Sequence, residues 1–153
     1  MTQRLDYIKA SPGGFKALMG LEQHLKSHVD AGLLHLVKLR ASQINGCAYC
    51  IDMHWKDARA GGESEQRLYA LDAWEESPFY TERERAALRW TEALTNIREG
   101  HAPDAAFEEA RGAFNDQELA DLTWAIAAIN AWNRVAIGFR SKPGVYQPPK
   151  PHA

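Results

Sequence analysis

Residues 45–54 read NGCAYCIDMH, and this segment carries both cysteines of the chain at a boundary between two predicted helices. Its opening Asn-Gly pair is typical of turns and helix ends, so one helix is expected to stop there and the next to begin at Cys47. If residues 47–61 are helical, Cys50 lies three residues after Cys47 and His54 lies four residues after Cys50. All three side chains then share one face of the helix.

This spacing favours a redox centre made of two thiols and an imidazole. Helical neighbours lie about 5–6 Å apart at Cβ, against about 3.5–4.5 Å in a disulfide, so a small adjustment of the first turn joins Cys47 to Cys50. The unpaired N–H groups and the positive end of the helix dipole favour a thiolate, which is the reactive form of cysteine. The imidazole of His54 can move the protons of the thiols.

Three other readings of the cysteine pair stay open. A structural disulfide would close a loop too short to restrain much of the unfolded chain, and nothing indicates an oxidising compartment. A metal site would have three ligands in Cys47, Cys50 and His54, but no fourth ligand appears at a recognisable spacing. Two core thiols could also coincide in one motif.

The composition is that of a globular protein. The chain has 153 residues, of which 45% are hydrophobic and 25% charged, and its net charge is −2. No basic block is present to bind nucleic acid, and no apolar run approaches the roughly 20 residues of a membrane span. The first residues lack the apolar core of a signal peptide, so a cytoplasmic location is expected. No linker divides the chain, and we predict one domain over residues 1–153.

Helix start and stop signals predict an all-α fold. Serine-proline and glycine pairs and two capping boxes, at residues 81–84 and 115–118, mark the boundaries. The predicted helices cover residues 11–29, 33–44, 47–61, 64–75, 81–97, 104–114 and 119–139. The last of these is the longest apolar stretch and is expected to be a central, buried helix. Residues 143–153 are expected to fray or to become ordered on contact.

Residues 36–54, LVKLRASQINGCAYCIDMH, and residues 130–134, NAWNR, resemble the alkylhydroperoxidase D (AhpD) family of the carboxymuconolactone decarboxylase superfamily. The resemblance implies an AhpD-like bundle of about six to seven helices and assembly into homo-oligomers. It also implies thiol-dependent hydroperoxide or disulfide reductase activity, without a cofactor or a metal.

The same resemblance assigns roles to the site residues. Cys50 attacks the hydroperoxide, Cys47 resolves the sulfenic acid to a disulfide, and His54 assists deprotonation. An external dithiol reduces the disulfide, and the resemblance admits a lipoylated protein as this reductant and a peroxiredoxin as a partner. Neither is identified by the sequence.

His35 departs from the family pattern, because relatives usually carry a glutamate twelve residues before the first cysteine. An imidazole can relay protons but cannot supply a fixed negative charge to His54. If His35 forms the relay, activity should depend on pH between about 6 and 8, around the ordinary imidazole value. Tyr49 stands where some relatives carry a further histidine.

Two other functions remain as alternatives to the reductase. One is a redox sensor or binding module that uses the cysteine pair as a switch. The other is a ring-opening or decarboxylating enzyme, although that chemistry does not need two thiols. Asn130, Trp132, Asn133 and Arg134 are expected to hydrogen-bond neighbouring turns or subunits rather than to catalyse.

Overall fold

The structure, a computed structural model, describes residues 2–149 of the chain. Within that range it contains eight α-helices and one 3₁₀ turn, and no strand, which confirms the all-α prediction. The helices are α1 (Tyr7–Ala10), α2 (Pro12–His28), α3 (Ala31–Asn45), α4 (Ala48–Ala60), α5 (Glu65–Ala70), α6 (Glu82–Thr95), α7 (Asp104–Ala113) and α8 (Asp116–Phe139), and the 3₁₀ turn (Leu71–Ala73) continues α5.

All seven predicted helices are present, and their ends follow the predicted capping signals. Both capping boxes form, with the side chains of Thr81 and Asn115 accepting from backbone N–H groups of α6 and α8. The short helix α1 was not predicted, because a single turn shows no hydrophobic period. Asp6 caps it by accepting from the N–H of Lys9 at 3.2 Å. The described residues thus form eight α-helices where about six to seven were expected, and the additional one is this single turn.

Helix α3 lies at the centre of the fold and packs against α4, α6 and α8. Leu33 and Val37 enter an apolar core shared with α6, α7 and α8, whereas Leu36 and Leu39 enter a second core shared with α4, α5 and α6. Because these positions cover most of its circumference, α3 is buried on nearly all sides.

Helix α8 was predicted to be the central buried helix, and this is only partly right. Its inner face packs on α2, α3, α4 and α6. On its outer face, however, the side chains of Trp124 and Ile137 are 56% and 47% exposed. The apolar composition of a helix does not by itself show whether all of its faces are buried or whether one apolar face is exposed.

Three asparagine side chains join α8 to the end of α3. Asn45 donates to Asn130 Oδ1 at 3.0 Å and to Asn133 Oδ1 at 2.8 Å. Asn133 is fully buried and donates in turn to Ser42 Oγ at 3.1 Å. The expectation that Asn130 and Asn133 hydrogen-bond a neighbouring turn is confirmed, and the contacts fix the residues just before the cysteines to α8.

The segment after α8 returns to α4. The Gly144 N–H donates to Asp52 Oδ2 at 3.0 Å, and the Tyr146 hydroxyl donates to Asp57 Oδ1 at 2.6 Å. These contacts agree with a tail ordered on contact as far as residue 149, and residues 150–153 lie outside the described residues. Among the helices of residues 2–149, none combines the length and apolar character needed to cross a bilayer.

Replacing Asn133 by leucine should lower the free energy of unfolding by about 1–3 kcal/mol, because it removes the two hydrogen bonds that this fully buried amide makes with Asn45 and Ser42. Urea denaturation measures this change. Gln117→Leu, an exposed substitution in the first turn of the same helix, should change stability by no more than about 0.5 kcal/mol. An equally small effect of Asn133→Leu would show that the asparagine contacts do not hold α8 to α3.

Candidate functional site

The junction between α3 and α4 is a left-handed turn at Gly46, whose φ is 66°. Residues with a side chain are disfavoured in this conformation, so glycine ends α3 and lets the chain reverse. The N–H of Cys47 donates to Ser42 O at 3.0 Å, which closes the turn. Cys47 is the N-cap of α4, and its Sγ accepts from the N–H of Cys50 at 3.3 Å. The sequence prediction that the first cysteine begins the helix is confirmed.

Cys47 and Cys50 form a disulfide, with their Cα atoms 5.3 Å apart. Both cysteines are 1% exposed, and they pack with Tyr49 and with Ala136 of α8. Cys50 lines a cavity, whereas Cys47 is not among the lining residues. A molecule bound in the cavity would therefore meet the second cysteine and not the first.

The cavity has a volume of about 570 Å³ and lies between α1, α2, α3, α4 and α8. Apolar and aromatic side chains form much of its wall, among them those of Phe15, Met19, Leu34, Met53 and Trp132. The polar residues of its wall are Tyr7, Glu22, Lys26, His35, Lys38, Tyr49, His54, Asp57 and Tyr146. This size and composition are typical of a site for a small organic molecule.

His54 lies one turn after Cys50 and lines the same cavity. It is 6% exposed, and its Nε2 has no hydrogen-bond partner among the described residues. Burial, with smaller contributions from the charges of Lys38 and His35, lowers the pKa of His54 to about 3. In the disulfide state the imidazole is therefore neutral at physiological pH.

His35 lies on α3, faces the cavity and is half-buried. His35, His54 and Cys50 thus line one cavity, but His35 Nε2 lies 3.4 Å from the position that a Cβ would take at Gly61, just past the end of α4, so their direct juxtaposition stays a prediction. Burial lowers the pKa of His35, an effect that the carboxylate of Asp57 opposes. Both imidazoles therefore favour the neutral form in the disulfide state, and the dependence of activity on pH between about 6 and 8 stays a prediction for the reduced protein.

A buried ion pair, which the sequence interpretation missed, also faces the cavity. Lys38 Nζ donates to Glu22 Oε2, and the two residues are 5% and 7% exposed. The indole N–H of Trp132 donates to the other carboxylate oxygen, Glu22 Oε1, at 3.0 Å. A signal was available for Lys38, because it lies four residues after Leu34 and three before Ala41 within the apolar stripe of α3.

Asp57 and Tyr146 complete the polar wall of the cavity. Burial and the hydrogen bond to Asp57 raise the pKa of Tyr146, and burial raises that of Tyr49, so both phenols stay protonated. Tyr146 could not be assigned to the site from the sequence, since it follows α8 in a segment without periodicity. Over residues 2–149, no group of three or more His, Cys, Asp or Glu side chains is arranged to hold a metal ion.

These features define an all-α protein with a cysteine pair at a helix N-terminus, beside a cavity large enough for a small organic molecule. The chain belongs to the carboxymuconolactone decarboxylase family, whose model matches residues 12–93. That match contains α2, α3 and α4, and so includes both cysteines and both histidines of the site.

Individual relatives extend the likeness over nearly the whole chain. The uncharacterized protein YdfG of Bacillus subtilis is 41% identical over 93% of this chain and 97% of its own length. A crystal structure of a protein of unknown function from Agrobacterium tumefaciens, suggested to be the antioxidant defence protein AhpD, is 52% identical. It superposes with a TM-score of 0.90 over 95% of this chain and 100% of that one. The expected AhpD-like fold is confirmed.

A more distant solved structure is that of the debrominase Bmp8. It has a TM-score of 0.81 at 22% identity, over 90% of this chain and 75% of that chain. At this identity the likeness shows a common fold and assigns no reaction to the present chain.

Replacing His54 by glutamine should weaken the dependence of the free energy of unfolding on pH in the acid range. The pKa of His54 is about 3 when folded and about 6.5 when unfolded, so between these values only the unfolded chain takes up the proton. Stability should then fall as the pH drops below 6.5, by about 1.4 kcal/mol per pH unit more in the parent than in the variant. Urea denaturation between pH 4 and 6 measures the two slopes, with the exposed His28→Gln as the matched loss of an imidazole. Equal slopes for the parent and His54→Gln would contradict a buried neutral His54.

Proposed function

We propose that the chain is a thiol-dependent reductase of organic hydroperoxides, with the Cys47–Cys50 pair as its redox centre. The observation that carries the proposal is the position of this pair, closed as a disulfide at the N-terminus of α4 with Cys50 facing the cavity. Family membership and the likeness to a suspected antioxidant protein support the same conclusion. A purely structural bridge would have no need of an adjoining cavity.

The reaction follows from the places of the two sulfur atoms. In the reduced protein the Cys50 thiolate attacks the terminal oxygen of the hydroperoxide, the O–O bond breaks, and an alkoxide leaves and takes up a proton. Cys50 becomes a sulfenic acid. The Cys47 thiol attacks this sulfur, water leaves, and the disulfide forms. A dithiol then reduces the disulfide through a mixed disulfide and is itself oxidised to a cyclic or protein disulfide.

The two histidines serve the protons of this cycle. In the disulfide state His54 is neutral, with its Nε2 unpartnered. When a Cys50 thiolate forms one turn away, its negative charge favours the imidazolium, so that His54 can receive the thiol proton and return it to the alkoxide. His35 lines the same cavity and takes the place of the glutamate of other relatives as a proton-accepting group.

The cavity favours an organic hydroperoxide over hydrogen peroxide. About 570 Å³ with a largely apolar wall accommodates a substrate body of many carbon atoms. Binding of that body would hold the peroxide group against Cys50 and raise its effective concentration. Hydrogen peroxide lacks a group to use this wall, so it should react with a lower kcat/KM.

The proposal includes the cellular setting of the cycle. A dithiol such as that of a lipoylated protein can regenerate the enzyme, and a peroxiredoxin can act beside it. The reducing cytoplasm supplies such dithiols. We also propose a homo-oligomer, in which the exposed Trp124 and Ile137 of α8 contribute to contacts between subunits.

Steady-state turnover tests the proposed activity. With cumene hydroperoxide and excess dihydrolipoamide, the parent should consume many equivalents of peroxide per chain. Cys50→Ser should reduce the rate to that of the uncatalysed mixture, because it removes the attacking sulfur. Assayed without dithiol, Cys47→Ser should consume one equivalent of peroxide and then stop, with sulfenic acid on Cys50 detectable by dimedone labelling.

Each other result assigns the chain differently. Consumption of one equivalent by the parent, even with dithiol in excess, would contradict an enzyme and favour a redox sensor. Sulfenic acid found first on Cys47 would reverse the roles of the two cysteines. Parent protein that keeps both thiols in the presence of peroxide would overturn the redox proposal.

A further inference from the structure

The Lys38–Glu22 ion pair is the buried charge of the cavity that the proposed cycle leaves unexplained. Both residues are more than nine-tenths buried, and both line the cavity with Cys50 and His54. Removing two charges from water is costly, and a buried ion pair of this kind often contributes little net stability compared with apolar residues. The pair is therefore better explained by a role in the site than by the fold.

Glu22 holds the lysine in place from a neighbouring helix. Its Oε2 accepts from Lys38 Nζ, while its Oε1 accepts from the indole N–H of Trp132 on α8. The carboxylate is thus fixed by two donors from two helices, and the ammonium of α3 is directed into the space between α2, α4 and α8. An ammonium carries three donors, so one can pair with Glu22 while others remain for a second anion.

Among the charged and titratable groups that line the cavity with Cys50, Lys38 is the buried cation. The groups that face the cavity are Glu22 and Lys26 of α2, His35 and Lys38 of α3, Tyr49, His54 and Asp57 of α4, Tyr7 of α1 and Tyr146 after α8. Lys26 is exposed, so water screens its charge. Burial keeps the phenols of Tyr49 and Tyr146 protonated and lowers the pKa of both imidazoles. The charge of Lys38 also contributes to the lowered pKa of His54, which lies one turn after Cys50.

We propose that the Lys38 ammonium, fixed by Glu22 and Trp132, stabilises the Cys50 thiolate of the reduced protein and the alkoxide that leaves when this thiolate attacks a hydroperoxide. Burial lowers the pKa of Lys38 too, but the hydrogen-bonded carboxylate of Glu22 opposes this shift and favours the charged ammonium, a positive charge that neither His35 nor His54 provides in this cavity. The second half of the proposal rests on the proposed function, whereas the first half concerns the thiolate alone and does not.

Alkylation of Cys50 tests the charge directly and without peroxide. In a Cys47→Ser background, the rate of reaction with iodoacetamide as a function of pH gives the pKa of the Cys50 thiol. Lys38→Gln removes the charge and keeps a donor for Glu22, so this pKa should rise by about one unit. The alkylation rate at a pH below the midpoint should then fall about tenfold, because the thiolate fraction falls by that factor.

Two further variants separate charge from structure. Lys38→Arg restores the positive charge and should bring the pKa of Cys50 back to the parent value. Lys16→Met removes an exposed lysine of α2 that does not line the cavity, and it should leave the pKa unchanged. If Lys38→Gln fails to fold, as judged by circular dichroism, Lys38→Met gives the same test with the same expectation.

The outcomes are distinct from those of the turnover assay. An unchanged Cys50 pKa in folded Lys38→Gln or Lys38→Met overturns the inference, whether or not the parent turns over peroxide. An equal rise in Lys38→Arg also overturns it, because the loss would then follow from altered packing. A rise that only arginine reverses, in a parent without peroxide turnover, supports the role of Lys38 at the thiolate and contradicts the proposed function.

Discussion

The left-handed turn at Gly46 is the constraint on which the site depends. It ends α3 and immediately begins α4, so Cys47 becomes an N-cap and Cys50 faces the cavity one turn later. The turn is held from outside by Asn45, whose amide donates to Asn133 of α8. The cysteine pair therefore lies where two helices and a buried hydrogen-bond network meet, and its geometry is fixed before any substrate arrives.

Burial sets the electrostatics of this site. Imidazoles removed from water lose their charged form, so His54 becomes neutral and His35 shifts in the same direction. A lysine in the same cavity keeps a carboxylate partner, Glu22, which favours the charged ammonium of Lys38 although burial opposes it. A cavity of this kind strengthens the interaction of any charge that forms within it, including a thiolate and a leaving alkoxide.

Local sequence signals predicted the helices and the cysteine pair, because both depend on residues near one another in the chain. Caps and glycine stops placed the helices, and the three- and four-residue spacings aligned Cys47, Cys50 and His54. Glu22 could not be assigned in this way, since it lies sixteen residues before Lys38 and on a different helix. The pKa of His54 was also beyond reach, because it depends on walls contributed by four other helices and not on its neighbours in sequence.

Under the proposed function, peroxide converts the two thiols into the disulfide seen in the structure, and intact-protein mass spectrometry measures this conversion. Fully reduced protein is mixed with one equivalent of cumene hydroperoxide and its mass is recorded under non-reducing conditions. The expected product is a chain of monomer mass that has lost two hydrogen atoms, with a Cys47–Cys50 bond in the peptide map and cumyl alcohol formed in equal amount. An unchanged mass with both thiols still titratable would contradict it.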